Sequence, residues 1–203
     1  MTAILKVDEI QDTSGNNIIN ENANTITIGK SGDTTNIVGT LQNDGAALIS
    51  GITMADQFCL TSSFSGSATP IASNLARVAR TGQGTLNGGM TESSGIFTFP
   101  STGLYLVRYN ILGEAIANDN ILGSIKTTTN NSSYDEVAVG YFSGDGSSTG
   151  SGSSSTECFF NVTNTSTHKV RFNIASIDGG SAVFGNTGEN LTFFTFIRLG
   201  DSQ

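Results

Sequence analysis

Side chains that could carry out acid–base or nucleophilic chemistry are few in this sequence of 203 residues. Its single histidine, His168, stands beside Lys169 at the predicted start of a strand, and no Gly-x-Ser-x-Gly motif lies at a plausible strand–helix junction where a serine nucleophile could be held. Asp135 and Glu136 offer the paired carboxylates of a glycoside hydrolase, but neighbouring residues of a strand point to opposite faces of its sheet. We therefore predict no catalytic residue and no enzymatic activity.

Residues that could hold a metal ion or another cofactor are equally sparse. Asp145 lies between two glycines, which resembles a calcium-binding loop, but the repeated oxygen ligands of an EF-hand are missing; a site shared between chains with Asp119 or Asp178 stays open. Cys59 and Cys158 fit no metal or redox spacing. We interpret Cys158 as a buried free thiol, with a disulfide as the alternative. The sequence predicts no cofactor and no metal.

The charge of the chain excludes several classes of partner. The formal net charge is −8, the sequence pI is near 4.4, and the nine Lys and Arg residues form no run. Nucleic acid and anionic membrane surfaces are bound through clustered cations, so neither is an expected partner. The N-terminus lacks the continuous apolar core of a signal peptide, and no stretch approaches the roughly 20 apolar residues that cross a bilayer. We expect a protein that is made and folded in a cytoplasm, without membrane insertion.

The elements that must position these residues are predicted to be strands. Charged residues make up only 13% of the chain, and no segment has a convincing 3.6-residue apolar period. The Ser- and Gly-rich run 143–156 is predicted to be a flexible surface loop. The candidate strands are 58–64, 75–80, 95–99, 104–112, 121–127, 136–142, 156–162, 168–175 and 191–199. Their spacing predicts an all-β fold, an antiparallel sandwich or jelly roll.

The candidate strands differ in what they place on their two faces. Segment 168–175 alternates cleanly between apolar and polar side chains, which predicts one face in water. Segments 104–112 and 191–199 are apolar on both faces, whereas a two-sheet sandwich covers only one face of each sheet. A subunit interface is the economical cover for the second face. The residues predicted to form the core and the trimer contact are Phe97, Phe99, Tyr105, Val107, Tyr109, Phe193, Phe194 and Phe196.

Aromatic residues divide the chain. All twelve Phe and all four Tyr lie at or after Phe58, so residues 58–203 are predicted to be the globular domain and 46–57 a connector. Residues 1–45 carry short β-like fragments with too few large apolar groups to bury a core within one chain. We predict that this segment is an extended stalk shared by three chains, or an arm that docks on another protein. Its apolar contact residues would be Ile4, Leu5, Val7, Ile10, Ile26 and Ile28.

One stretch links the domain to a known family. In 95–109, Pro and Gly form a sharp turn between two alternating apolar runs. The spacing of its residues resembles the Gly-x-Phe-x-x-Pro-x-x-Gly-x-Tyr signature of C1q/TNF-like globular heads, and the matching residues are Gly95, Phe97, Pro100, Gly103 and Tyr105. A turn at Gly185 and Gly188 before a Phe-rich last strand resembles the end of the same pattern. The resemblance implies a jelly roll that packs with two copies of itself around a three-fold axis.

The N-terminal segment suggests where such a head is used. The run from Ile4 to Gly15, followed by Ile26 and Gly29, resembles the start of many bacteriophage virion proteins. We therefore predict a non-enzymatic virion structural protein, a homotrimeric knob on the virion surface. It would decorate the capsid, anchored by its N-terminal segment to the major capsid protein or another virion protein.

The alternative is a short tail fibre or receptor-binding tip that recognises a host surface glycan. For that role Tyr134, beside Asn131 and Asp135, is the candidate exposed aromatic residue. A tailspike that degrades polysaccharide would need a long repetitive β-helix, and this sequence has no such array.

Overall fold

The protein is described by a computed structural model, which covers residues 38–39, 41–43, 46–47 and 51–203. The chain divides into two compact units, Met1–Leu48 and Ile49–Gln203. In the first unit, β1 (Gln42–Asn43) pairs antiparallel with β2 (Ala46–Ala47). The residues predicted to dock, Ile4, Leu5, Val7, Ile10, Ile26 and Ile28, lie outside the described residues. Within the described ranges every regular element is a strand, and no helix there could cross a membrane.

The second unit is a sandwich of two antiparallel sheets. A seven-stranded sheet has the order β4-β13-β8-β14-β3-β5, with β11 paired to the other side of β8, and a five-stranded sheet has the order β10-β9-β12-β7-β6. Its strands are β3 (Met54–Leu60), β4 (Ser62–Phe64), β5 (Leu75–Arg77), β6 (Thr91–Ser93), β7 (Ile96–Thr98), β8 (Gly103–Ala115), β9 (Asn120–Thr128), β10 (Asp135–Ser143), β11 (Gly150–Val162), β12 (Lys169–Ala175), β13 (Ala182–Asn186) and β14 (Phe193–Gly200). The all-β antiparallel prediction is confirmed.

The core between the sheets is built on aromatic rings from both of them. Phe97 of the five-stranded sheet lies with its ring centroid 5.1 Å from that of Phe58 and 5.2 Å from that of Phe196, both in the seven-stranded sheet. Phe172 reaches across to Phe194 at 4.3 Å. Aromatic pairs at these separations stabilise a core beyond the area that they bury.

The turn at Pro100 carries the chain from one sheet to the other, since β7 belongs to the five-stranded sheet and β8 to the seven-stranded sheet. The Tyr105 hydroxyl donates a hydrogen bond to the Ser101 carbonyl oxygen at 2.9 Å, which ties the corner to the strand that follows it. A Cβ atom on Gly103 would lie 2.5 Å from Arg198 Nε, so only glycine allows this approach. The predicted strand–corner–strand is present as a crossing between sheets.

The prediction of a flexible loop over 143–156 is wrong from Gly150 onward. Strand β11 pairs with β8 without a break, from Gly150 opposite Ala115 to Val162 opposite Gly103. Main-chain hydrogen bonds to a long neighbouring strand do not depend on side-chain size, so a Ser/Gly-rich composition does not prevent strand formation here. Composition alone could not reveal this.

Glycine in this strand has a packing role of its own. Gly152 stands opposite Gly113, and the Phe142 ring packs over this pair. A Cβ atom on Gly152 would overlap the ring, and one on Gly113 would come within 3.2 Å of Phe142 Cζ. The two glycines therefore form a slot for an aromatic side chain of the other sheet.

Three further features differ from expectation. Strand β3 begins at Met54, inside the predicted connector, and the short strands β6 and β13 have no counterpart among the candidate strands. On the face of β12 predicted to be in water, Lys169 and Asn173 are buried. The loop that precedes β12 contributes to this, because the Thr165 carbonyl oxygen accepts a hydrogen bond from Lys169 Nζ at 2.7 Å.

Candidate functional site

The outward face of the seven-stranded sheet carries a concentration of apolar side chains that the protomer leaves partly uncovered. Since Tyr105, Val107 and Tyr109 of β8 point into the core, the even-numbered residues of that strand point outward. Phe159 is 70% exposed and Leu199 is 46% exposed. We call this surface the apolar face; its members are Leu104, Leu106, Phe159, Phe193, Ile197 and Leu199.

Strand register brings these residues together across three strands. Leu106 of β8 stands opposite Phe159 of β11 on one side and Ile197 of β14 on the other. Side chains directly opposite each other in a sheet are in contact range, so the three form one apolar row. Phe193 of β14 and Leu104 of β8 flank this row toward opposite ends of the sheet.

A polar row lies beside the apolar one, and its charges are paired within the protomer. Arg108 donates from Nε and Nη2 to Glu157 Oε2, at 2.8 and 2.6 Å, and both side chains are 48% exposed. The row continues through Thr195 to Gln57, whose Nε2 donates to the Thr195 hydroxyl at 2.9 Å. The polar row beside the apolar face therefore contains one charge pair and no unpaired charge.

One arginine fixes the loop that enters β14. Arg80 donates from Nε to the Thr187 carbonyl oxygen at 3.0 Å and from Nη2 to those of Asn186 and Glu189, each at 3.1 Å. Asn190 of the same loop donates to Gln57 Oε1 at 2.6 Å. These bonds attach the loop before β14 to Gln57 of β3 and to Arg80 after β5, and so fix the start of β14 at Phe193.

The predicted core and contact residues divide unequally. Seven of the eight, Phe97, Phe99, Tyr105, Val107, Tyr109, Phe194 and Phe196, are at most 2% exposed and point into the sandwich. A second chain cannot reach them. Phe193 alone lies on the apolar face. Segments 104–112 and 191–199 do place apolar side chains on the outward side of the sheet. Apart from Phe193, these are not the predicted contact residues; the outward side chains are Leu104, Leu106, Leu112, Phe193, Ile197 and Leu199.

The acidic residues considered for calcium are engaged by hydrogen-bond donors of the protein. Burial raises the pKa of Asp119, but hydrogen bonds from the Ser181 hydroxyl and the main-chain N–H groups of Asp178 and Asn120 lower it below the usual range. In Asp145 the Ser148 hydroxyl bond, with further donors of the same loop, lowers the pKa to about 2. Among the described residues, no group of three or more His, Cys, Asp and Glu side chains is arranged to hold a metal ion.

The remaining candidates for chemistry lie apart from one another. The His168 ring nitrogens face the hydroxyls of Thr163 at 3.3 Å and Thr167 at 3.1 Å. Both cysteines are free thiols; burial, with the nearby Glu157 charge, raises the pKa of Cys158 to about 11, which makes it a poor nucleophile. The glycan candidate Tyr134 is partly buried, with the Arg171 guanidinium 4.1 Å from its ring centroid.

Comparison with solved structures identifies the fold. Eiger TNF from S. frugiperda superposes with a TM-score of 0.56 at 14% identity, covering 74% of this chain and 94% of that one. Murine APRIL at pH 5.0 gives 0.53 at 14% identity, with 72% and 98% covered, and its structure at pH 8.5 gives 0.51 with the same identity and coverage. The second unit is a TNF-like jelly roll. No family model and no curated protein sequence matches the chain.

The TNF-like jelly roll accounts for the C1q/TNF-like signature seen in the sequence. The residues of that signature span the crossing from β7 to β8 at Pro100, where Phe99 packs against Tyr105 with ring centroids 4.6 Å apart. The apolar face lies outside that signature except at Leu104. Register between β8, β11 and β14 is what assembles it, so the signature alone could not have found it.

Proposed function

We propose that this protein is a non-enzymatic structural protein whose TNF-like jelly roll assembles into a homotrimeric knob through the apolar face. The observation that carries the proposal is the row of Phe159, Leu106 and Ile197 on the outward side of the seven-stranded sheet. Neighbouring apolar side chains that stay partly exposed mark an interaction surface, because burying them is favourable by roughly 25 cal/mol per Å². Further copies of the same chain are the simplest partners, because most oligomers are symmetric assemblies of identical chains.

The charges of the apolar face support self-association. Burying an ionised group without a partner costs several kcal/mol, as an order of magnitude. Arg108 and Glu157 already neutralise each other within one protomer. Another copy that covers the row of Arg108 and Glu157 therefore leaves neither of these two charges unpaired.

The trimer test uses a matched pair of leucines. Leu106 and Leu122 are both partly buried and point outward, but from opposite sheets. We expect Leu106→Asp to sediment as a monomer and Leu122→Asp to keep the assembly of the unaltered protein, both with the circular dichroism of a folded β protein. A stable monomer for the unaltered protein, or equal assembly of the two variants, would contradict the proposal.

For the biological setting, we propose a virion surface protein that decorates a phage capsid and is held there by its N-terminal segment on the major capsid protein or another virion protein. The support is the resemblance of residues 4–29 to the start of phage virion proteins, together with the single jelly-roll unit that follows. A short tail fibre or receptor-binding tip is the competing location. Low-resolution imaging of particles that carry a label on this protein decides between them. Label at each local three-fold position of the head supports decoration, whereas label at the tail alone excludes it.

A further inference from the structure

A hollow lies at one side of the apolar face, beside β3. Its volume is about 230 Å³, and it is open to solvent. The floor includes Ala55 of β3 and Ile197 of β14, and the wall is formed by Val78, Gln83 and Gly84 of the loop after β5. A cavity of about 150 Å³ is large enough to bind benzene, so this one has room for an aromatic side chain. We call it the β3 hollow.

The loop that forms the wall is held at both ends by main-chain hydrogen bonds to β3. The Val78 N–H donates to the Gln57 carbonyl oxygen at 2.8 Å, and the Leu86 N–H donates to the Ala55 carbonyl oxygen, also at 2.8 Å. Residues 79–85 between these two points belong to no strand. The wall is therefore fixed by the protomer itself, and the hollow exists before any occupant arrives.

The β3 hollow offers no free charge to an occupant. Asp56 is the one charged residue among those that line it, and its side chain is fully buried. Its carboxylate accepts hydrogen bonds from Arg77 Nε at 3.0 Å and from the Met90 N–H at 2.7 Å. A charged occupant would lose its water here without gaining a partner, so the hollow is suited to an apolar side chain.

The same outward face carries an exposed aromatic ring that cannot reach the hollow of its own protomer. Phe159 of β11 is 70% exposed. It stands in one row with Leu106, Ile197 and Ala55, so three strand spacings separate it from the floor of the hollow. Neighbouring strands lie about 4.8 Å apart, which places the ring about 14 Å away along the row. Each protomer therefore exposes a ring and, elsewhere on the same face, a hollow of ring size.

We propose that Phe159 of one copy enters the β3 hollow of the next copy. The inference rests on the proposed homotrimer and adds which side chain joins its subunits. A ring and a hollow at different places on one surface form a head-to-tail contact, and three such contacts in a closed trimer leave no ring and no hollow unused. The position of the hollow supports this occupant, because Ile197 belongs both to the apolar face and to the floor of the hollow.

The test uses a fluorescent donor chain and a silent acceptor chain, both of full length. The sequence contains no tryptophan, so a single one at position 159 reports on its own surroundings. The donor carries Phe159→Trp together with Ala55→Phe, whose added ring fills the donor's own hollow and prevents self-association. The acceptor carries Phe159→Ala, which keeps the hollow open. We expect the donor emission to shift to shorter wavelength and to saturate as acceptor is added, because the indole leaves water.

Two glycines provide a matched pair of acceptor controls. A Cβ atom on Gly84 or on Gly150 meets nothing within 4 Å, but of the two only Gly84 lines the hollow. Adding Gly84→Leu to the acceptor should weaken binding of the donor at least about tenfold, because the ring then stays partly in water. Adding Gly150→Leu should leave the affinity unchanged. If Ala55→Phe prevents the donor from folding, Gly84→Leu takes its place there.

Two results overturn the proposal. A donor emission that does not change with the open acceptor shows that the ring does not enter another copy. An equal affinity for the open acceptor and for its Gly84→Leu form shows that the ring is buried somewhere other than the hollow. Sedimentation of the unaltered protein separates the two proposals. A trimer whose donor shows no shift refutes this contact alone and leaves the hollow to an aromatic side chain of a different protein, whereas a monomer without a shift refutes the trimer as well.

Discussion

The Arg108–Glu157 pair gives the sharpest test of whether the apolar face is buried in an assembly. We consider three variants, Arg108→Met, Glu157→Met and the double change. Within one protomer both side chains are 48% exposed, and an ion pair of that exposure contributes about 0–1 kcal/mol to stability. Each single variant should therefore change the stability of an isolated protomer by no more than about 1 kcal/mol.

The effect on assembly should be much larger. If a second copy covers the face, a single variant leaves one charge desolvated and unpaired, at a cost of about 2–5 kcal/mol per interface. At 1.4 kcal/mol per tenfold change, the association constant falls by about 30-fold to several thousandfold. The double variant places two apolar side chains where the ion pair was, which is neutral or favourable when the volumes match. It should assemble at least as well as the unaltered protein.

Sedimentation velocity over a range of concentrations measures these constants. Lys126→Met serves as the control, since it removes an equal charge from the outward side of the other sheet. Singles that assemble normally would show that the pair lies outside any subunit contact. If the double variant loses as much association free energy as the two single variants together, the two charges do not compensate each other at the interface. Either result refutes the reasoning.

The remaining predictions concern the protomer itself. Gly152→Ala should lower the free energy of unfolding in urea by about 1–3 kcal/mol, because the added Cβ atom would overlap the Phe142 ring. Gly150→Ala on the same strand places its Cβ atom more than 4 Å from any other group and should leave the free energy of unfolding unchanged. Equal effects of the two variants would contradict the slot. Tyr109→Phe should leave the free energy of unfolding unchanged or raise it by about 1 kcal/mol, because the Tyr109 hydroxyl is buried without a hydrogen-bond partner. A loss above about 1 kcal/mol would show that the hydroxyl does have a partner. Asp119 has a pKa below its usual 3.8, so its stabilising contribution is complete above pH 3.8 and is lost as the pH falls through the lower folded value. Asp119→Asn should therefore lower stability near neutral pH and flatten the acid limb of a stability–pH curve; an unchanged acid limb would argue against it.

The sequence predicted the fold where side-chain alternation reports burial directly. The strands that carry Phe97 and Phe172 were found because each alternates large apolar groups with other residues, and these two side chains are part of the core. The Pro100 corner was found because proline and glycine restrict the backbone in known ways. In both cases the information lies within a few residues of the chain.

Prediction failed where partners distant in sequence decide the structure. The Ser/Gly-rich part of β11 is a strand because β8 pairs with it, and nothing within the run itself reveals that. Likewise, a strand that is apolar on both sides does not say which side the second sheet covers. Tyr105 was expected to reach a contact between subunits, but the five-stranded sheet covers its side of β8, and Leu106 is left outward instead.

The outward sides of the two sheets differ in how their charged side chains are paired. A surface that is to be covered by another protein copy must not leave an ionised group unpaired, and on the apolar face Arg108 is matched by Glu157. On the outward side of the five-stranded sheet, by contrast, Arg171 lies over the Tyr134 ring, and its buried Nε has no hydrogen-bond acceptor among the described residues. Because the faces belong to opposite sheets, association through one leaves the other free.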